Sequence, residues 1–259
     1  MGQEENRFPA ERVEVILEVL RERGRVVAGA LAAQFGVSED SIRRDLRDLA
    51  ARGLCRRVYG GAVLPTPHVP PFAERARKED AGGAALAGLA CTRLRPGNVV
   101  LVDAGTTNLA VARALPEGMG LRVITNAPAI ALAAAARDGV TVHMLGGTLS
   151  PDAGGTLGAE TMQQMQALRA DVCLPGACAV DTATGAWAVD AEEAALKRAM
   201  IACSSRVFLL AGNAKLGAQG TFQIATLADI DDVFLEASAP DLHAAAFADA
   251  GIAVHRALP

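Results

Sequence analysis

Over the first sixty residues, apolar positions recur at helical spacing. Residues 11–23 carry Val13, Ile16, Leu17 and Leu20 on one face, and Gly24 is placed to end that helix. Residues 27–35 read as a second, short helix with Leu31 and Phe35 turned inward. After "GVS" a third helix is expected, because Ile42, Leu46 and Leu49 recur at i, i+4 and i+7 and share one face. Ser38 takes its N-cap position, and Glu39 and Asp40 fall in its first turn, where carboxylates complement the macrodipole. Gly53 is expected to stop it. "LCRRVYGGAVL" partly alternates around Gly60-Gly61 and predicts a small hairpin.

The pattern then changes. In "PTPHVPPFAERARKED" four prolines (Pro65, Pro67, Pro70, Pro71) fall within seven residues, which predicts an extended, semi-rigid joint between domains. Beyond it, short β-branched runs end in small polar loops and alternate with alanine-rich helical stretches. "NVVLVDAGTT" precedes a helix through Leu115, and "LRVITNAP" precedes one over 129–136. "VTVHMLGGTL", "ADVCLPGA", a helix over 192–203, "RVFLLAGNAK", "DDVFLEAS" and "IAVHRAL" follow. This alternation predicts a mainly parallel α/β sheet covered by helices. The expected division is 1–64, a joint over 65–78, and an α/β domain over 79–259. In such sheets ligands bind beyond the carboxyl ends of the strands, where this sequence puts its polar loops.

Composition sharpens one point. A chain of 259 residues, half of them apolar, is comfortable as two domains with a substantial core, and its few aromatics leave aliphatic and alanine side chains to fill it. A net charge of −4 argues against a protein that coats nucleic acid. Between residues 43 and 57, however, stand six arginines (Arg43, Arg44, Arg47, Arg52, Arg56, Arg57) against two acids, Asp45 and Asp48. A basic patch in an acidic chain suits a small nucleic-acid module joined to something else.

Other chemistry is thin. The five cysteines are odd in number, scattered and without a C-x-x-C pair, so they read as small buried apolar residues in a reducing compartment. His68, His143, His243 and His255 are isolated, with no ligand or triad spacing, and no metal or cofactor is expected. The N-terminal "MGQEENRFPAER" has no apolar h-region, and the longest apolar run, 127–136, is too short to span a bilayer. A soluble, cytoplasmic protein without a membrane partner is the expectation.

Two helices joined by a tight glycine-containing turn, the second presenting arginines, form a helix-turn-helix. In that arrangement the third helix enters the major groove. Ser38 and Ser41 near its start would reach phosphate or base edges. Arg43, Arg44 and Arg47 would pair with phosphates or with guanine, and Arg56 and Arg57 would hold the adjacent backbone as a wing. The bland alternative is an ordinary solvated helix face with R-x-x-x-D pairs.

"ALAAQFGVSEDSIRRDLRDLAARGLCRRVYGGAV" resembles the N-terminal winged helix-turn-helix of the DeoR-type bacterial transcriptional regulators, whose hallmark runs V-S-x-x-[ST]-I-R-R-D-L and ends at an R-V-x-G-G-A wing. Every hallmark position is filled: Val37, Ser38, Ser41, Ile42, Arg43, Arg44, Asp45 and Leu46, then Arg57, Val58, Gly60, Gly61 and Ala62. The resemblance continues through "PPFAER", "LVDAGTTNLAVARAL", "VITNAPAIA", "MLGGTLS", "DAEEAALKRAMI" and "LLAGNAKLG". It implies a Rossmann-like effector domain similar in fold to ribose-phosphate isomerases, responding to a phosphorylated sugar or a related metabolite.

The expected pocket is built from "DAGTT". Asp103 and Gly105 sit at a strand end, and the Thr106 and Thr107 hydroxyls with the first N–H groups of the next helix can hold a phosphate. An ordinary N-cap turn is the alternative. Asn126 and Gly146-Gly147 lie in neighbouring strand-end loops, and Lys215 follows another strand as a phosphate contact. Glu193 and Lys197 read either as an exposed i,i+4 pair or, by resemblance to the family's E-A-x-x-K segment, as pocket residues. Asp181 either binds a sugar hydroxyl or caps a turn. Two departures stand out: Gly212-Asn213-Ala214-Lys215 replaces the family's D-x-S-K, and "PGACAVD", with Pro175 and Cys178, replaces G-x-x-G-[IV]-D.

The reading that results is a DNA-binding regulator, a repressor of a sugar-metabolism operon released by a phosphorylated metabolite, and not an enzyme. Its partners would be double-stranded operator DNA, the effector, and a second copy of itself, because one short recognition helix covers only a half-site. The alternative is a sugar-phosphate isomerase with an accessory DNA-binding domain, Glu193 acting as base and Lys197 as oxyanion stabiliser. The chain lacks the acid-rich D-G-A-D-E loop that marks those enzymes.

Overall fold

The computed structural model describes residues 9–66, 68–78 and 81–258. Residues 1–8, Pro67, and the expected domain start at 79 therefore lie outside the described residues.

The first unit comprises α1 (Pro9–Arg23), β1 (Arg25–Val27), α2 (Ala28–Phe35), α3 (Glu39–Ala51), β2 (Arg56–Val58) and β3 (Gly61–Val63). Ile16, Leu20, Leu31, Ile42, Leu46 and Leu49 close into one core, the helical periodicity made three-dimensional. Gly36 ends α2 at φ +63°, a left-handed conformation that favours glycine, and this turns the chain from α2 into α3. Strand β1 is the one element here that the apolar pattern does not announce. Val27 reads from the sequence as the first residue of the second helix, but together with Arg25 and Val26 it pairs antiparallel to β3, whose other edge takes β2. The result is a three-stranded wing.

The proline-rich joint is less extended than its composition suggests. Phe72–Arg75 form one helical turn, α4, and Phe72 packs against the core of the second unit. Arg75 donates to the carbonyls of Pro70 at 2.8 Å and Asp152 at 3.1 Å.

The second unit runs α5 (Ala81–Cys91), β4 (Val99–Val102), α6 (Thr106–Ala114), β5 (Arg122–Thr125), α7 (Pro128–Ala135), β6 (Thr141–Met144), β7 (Thr148–Ser150), β8 (Gly155–Leu157), α8 (Ala159–Gln166) and β9 (Ala170–Leu174). It continues with β10 (Ala179–Asp181), β11 (Gly185–Ala188), α9 (Ala191–Ala202), β12 (Ser204–Ala211), β13 (Phe222–Ala225), β14 (Asp232–Leu235), α10 (Asp241–Asp249) and β15 (Ala253–Arg256). Seven strands form one sheet in the order β15-β14-β12-β9-β4-β5-β6, parallel at every pairing. Along β4, Val100 and Val102 enter the core beneath α5, α6 and α7, while Leu101 enters the core beneath α8 and α9. Both faces are covered, which is why the strands read as continuous apolar runs.

Two smaller pieces, a β7–β8 hairpin and an antiparallel β10-β11-β13 sheet, are additions to the expected parallel plan. Cys55, Cys91, Cys173 and Cys203 are buried, as small apolar residues are, and Cys178 is half-buried. Burial pushes the Cys91 thiol up to about 12. Among the described residues no helix is long and apolar enough to cross a membrane.

Candidate nucleic-acid interface and ligand pocket

Helix α3 presents Arg43, Arg44 and Arg47 to solvent, as its apolar period requires. Arg43 is held by Glu39 at 2.7 Å and Asp40 at 3.5 Å, pairs between exposed side chains. Exposed pairs of this kind are worth up to about 1 kcal/mol, little enough to be exchanged for a phosphate. Ser38 caps the helix, its Oγ accepting from the Ser41 N–H at 3.3 Å and meeting Ser41 Oγ at 3.0 Å. The two serines thus shape the start of α3 as well as standing at it.

Asp45 is not on this surface. The Arg12 guanidinium of α1 grips it with two bonds, Nε to Oδ2 at 2.6 Å and Nη2 to Oδ1 at 3.1 Å, inside the unit. Asp45 lies one turn from Ile42 and Leu49 and shares their face. Sequence reasoning counted it against the arginines; its withdrawal leaves Asp48 as the exposed acid between residues 43 and 57. The basic face is therefore stronger than composition suggests.

In the wing, Arg56, Arg57 and Val58 are exposed along β2, and Tyr59 stands fully exposed at the tip. Successive strand residues point to opposite faces, so Arg56 and Arg57 leave the hairpin in opposite directions.

The second candidate site lies at the carboxyl edge of the parallel sheet. From β4 the order runs through β5 to β6 on one side and through β9 and β12 to β15 on the other, so the β4/β9 boundary is the topological switch point. Ligands collect at such crevices. The loops after these two strands are bolted together. Asp103 Oδ2 accepts from the Gly176 N–H at 2.8 Å, and Asn108 Nδ2 donates to the carbonyls of Asp103 and Leu174 at 2.8 and 2.9 Å. Asn108 was not read from the sequence, although "TTN" at a strand-to-helix turn carries the signal.

Lys197 of α9 reaches into the same crevice. Its Nζ lies 2.7 Å from Glu193 Oε2 and 3.5 Å from Asp103 Oδ2, and the lysine is only 4% exposed. The exposed-pair reading of Glu193 and Lys197 is thus corrected: they form a buried cluster with Asp103. Burial disfavours the ammonium, but the two carboxylates outweigh it and hold Lys197 protonated, above the usual lysine range. Burial pushes the Asp103 carboxyl up, against the pull of Lys197 and the Gly176 N–H.

Helix α6 opens at Thr106 beside this cluster, with Gly105 at its N-cap. Its first N–H groups have no partner within the helix, and the half-buried Thr106 and Thr107 stand among them. That is the construction that binds an anion. After β5, Asn126 donates Nδ2 to the Thr156 carbonyl at 3.1 Å, while its Oδ1 is buried without a partner among the described residues. Buried acceptors are normally satisfied, so this one suits a ligand hydroxyl.

The remaining expected residues separate. Lys215, half-buried in a single turn after β12, is at the same edge but two strands from β4. Gly146 is engaged with α8, its N–H donating to Gln164 Oε1 at 3.0 Å and its carbonyl accepting from Thr161 Oγ1 at 2.6 Å. Gly146 and Gly147 thus seat α8 rather than line the crevice. Asp181 Oδ1 takes bonds from Ala183 N, Thr184 N and Thr184 Oγ1 at 2.7–3.0 Å, a turn cap facing the boundary between the two units. A cavity of about 610 Å³ adjoins Glu193, lined also by Asp152, Asp190, Glu192 and the joint residue Val69.

Comparison with known proteins matches both units. The model of the DeoR-like helix-turn-helix domain fits residues 12–68, and that of the DeoR C terminal sensor domain fits residues 81–237. The chain is 33% identical to the HTH-type transcriptional regulator GlpR of Haloferax volcanii, over 86% of this chain and 88% of that protein. It is 30% identical to the glycerol-3-phosphate regulon repressor of Escherichia coli, over 87% and 90% respectively. Among solved structures, ribose 5-phosphate isomerase A from Neisseria gonorrhoeae aligns at 14% identity and a TM-score of 0.41, over 54% of this chain and 55% of that one.

Proposed function

The chain belongs to the DeoR family of transcriptional regulators, and on that premise we propose that it is a repressor of a sugar-metabolism operon, released from DNA by a phosphorylated sugar or a related metabolite. The division into a DNA-binding domain (1–64), a joint (65–78) and an effector and self-association domain (79–259) belongs to the same proposal.

The observation that carries it is the inward turn of Asp45 onto Arg12, which withdraws one acid from the face where Arg43, Arg44 and Arg47 stand exposed, Arg43 held there only by solvent-exposed pairs with Glu39 and Asp40. With α3 in the major groove, Ser38 and Ser41 meet the backbone or base edges near its start, the arginines pair with phosphates or a guanine, and Arg56 or Arg57 tracks the neighbouring backbone. The test is the Arg43→Ala/Arg44→Ala double variant on DNA selected by the parent protein from a random-sequence pool. Each base-reading arginine is worth about 1–3 kcal/mol, so retention is lost while the circular dichroism of the fold is kept. Normal retention by the double variant at about 150 mM salt, where phosphate contacts alone are weakened, contradicts the assignment.

The effector binds with its phosphate at Gly105, Thr106 and Thr107, with Lys215 adding positive charge, and its hydroxyls toward Asn126, Asp103, Lys197 and Glu193. The acidic cavity beyond Glu193 repels a dianion and so favours this orientation over the reverse. Because one relative is named for the glycerol-3-phosphate regulon, glycerol 3-phosphate is the first probe, followed by other phosphorylated sugars. An isomerase role has less support: the Glu193 carboxylate needed as base is tied to the Lys197 ammonium.

The protein is expected to be at least a dimer. Strand β6 is an open edge of the large sheet, and Leu132 of α7, Met144 of β6 and Leu149 of β7 are exposed near it. Light scattering at micromolar concentration should return twice the chain mass or more, and a monomer mass counts against the proposal.

A further inference from the structure

We propose that the cleft between the two domains is a second small-molecule site, distinct from the strand-end pocket, and that it takes a neutral polyhydroxylated molecule, a free sugar or polyol. The cleft encloses about 630 Å³, within the range of roughly 300–1,000 Å³ typical of small-molecule pockets. One wall is the DNA-binding domain, with Val27 and Gln34; the other is the effector domain, with Thr182, Gln219, Leu242 and His243. The two backbones approach closely within this lining, at Gly24 and Gly217. A Cβ on Gly24 would lie 1.9 Å from the Gly217 carbonyl oxygen.

His243 is the anomaly. It is only 2% exposed, lines the cleft, and has no hydrogen-bond partner at either ring nitrogen among the described residues. A neutral imidazole offers one donor and one acceptor, and buried polar groups are normally paired. Burial lowers its pKa, opposed in part by Asp181, so the neutral form faces the cleft.

The rest of the lining selects the ligand class. Val27 and Leu242 are large apolar side chains left 57% and 51% exposed, one on each wall. A sugar ring or polyol chain has C–H surfaces to cover them, with hydroxyls for His243, Thr182 and the two glutamines. Arg25 and Asp181 contribute one charge of each sign, so the cleft has no excess positive potential for a phosphate. A molecule held here contacts both domains at once and stabilises this relation between them.

The test uses full-length protein and the imidazole carbon–proton resonances of its four histidines, with His243 identified by His243→Leu. Titration with D-glucose, sorbitol and glycerol should shift the His243 signal saturably in the millimolar range for at least one of them. Gln34→Ala and Thr182→Val, which act from opposite walls, should each weaken that response several-fold. The proposal is overturned if none of the three shifts the signal saturably, or if the response survives unchanged in both variants. It is equally overturned if inorganic phosphate displaces the bound polyol by competition.

Discussion

Lys197→Ala should lower the unfolding free energy by about 3–5 kcal/mol, read as a shift in the urea midpoint of the effector domain. The size follows from what the substitution leaves behind. Asp103 is 2% exposed, and Glu193 faces it across the lysine; without the ammonium, two carboxylates share a crevice in which the backbone N–H groups of Gly176 and Ala104 are the donors left to Asp103. The deficit should depend on pH in a definite direction. Asp103 already has a folded pKa above its ordinary value, and losing Lys197 removes the strongest pull against that rise. A raised carboxyl favours the folded state below its pKa and loses that contribution as pH rises through it. The variant should therefore recover part of its loss on acidification from about pH 7 to about pH 5. A midpoint equal to the parent's at neutral pH would mean that the cluster is solvated in solution.

Asp45→Ala should be as severe for the other domain, again about 3–5 kcal/mol, because it leaves the buried Arg12 guanidinium without its carboxylate. DNA affinity should fall with it, although Asp45 faces away from the DNA. The pair fixes α1 against α3, the helix that carries the arginines. Replacing both partners, Arg12→Met with Asp45→Leu, should restore much of the stability, since a well-packed apolar pair is often no worse than a buried ion pair. Thermal melts of the parent, single and double variants decide it. A single variant that melts like the parent would return Asp45 to the surface and remove its role in setting the charge of the DNA face.

Much of this was legible in the sequence where the signal is local. The apolar period at Ile42, Leu46 and Leu49, with Gly36 before it and Ser38 as cap, specifies α3 within a few residues. Strand ends followed by "DAGTT" and "TNAP" mark the crevice, because a parallel sheet must deliver its loops to one edge. What escaped was non-local or short. Strand β1 has three residues and no room for a period. Asp45 occupies an inward position on its helix, and Arg12 lies one turn before the buried Ile16 on its own, but the two are 33 residues apart and neither segment names the other as its partner. Gly146-Gly147 looks like a ligand loop and is used to seat α8. Asp181 and His243 acquire their setting from the way two domains meet, which no single segment encodes.

The proposed function joins DNA binding at one end of the chain to its release by a ligand at the other. Its most direct test is the fluorescence anisotropy of a labelled selected operator titrated with full-length protein, with and without phosphorylated sugars at millimolar concentration. The expected result is salt-sensitive binding that at least one phosphorylated metabolite weakens by about 5- to 150-fold, the range of ordinary allosteric couplings. Thr106→Ala and Lys215→Ala should each blunt that relief. An operator affinity indifferent to every phosphorylated metabolite tried, or a relief unchanged in both variants, would contradict it.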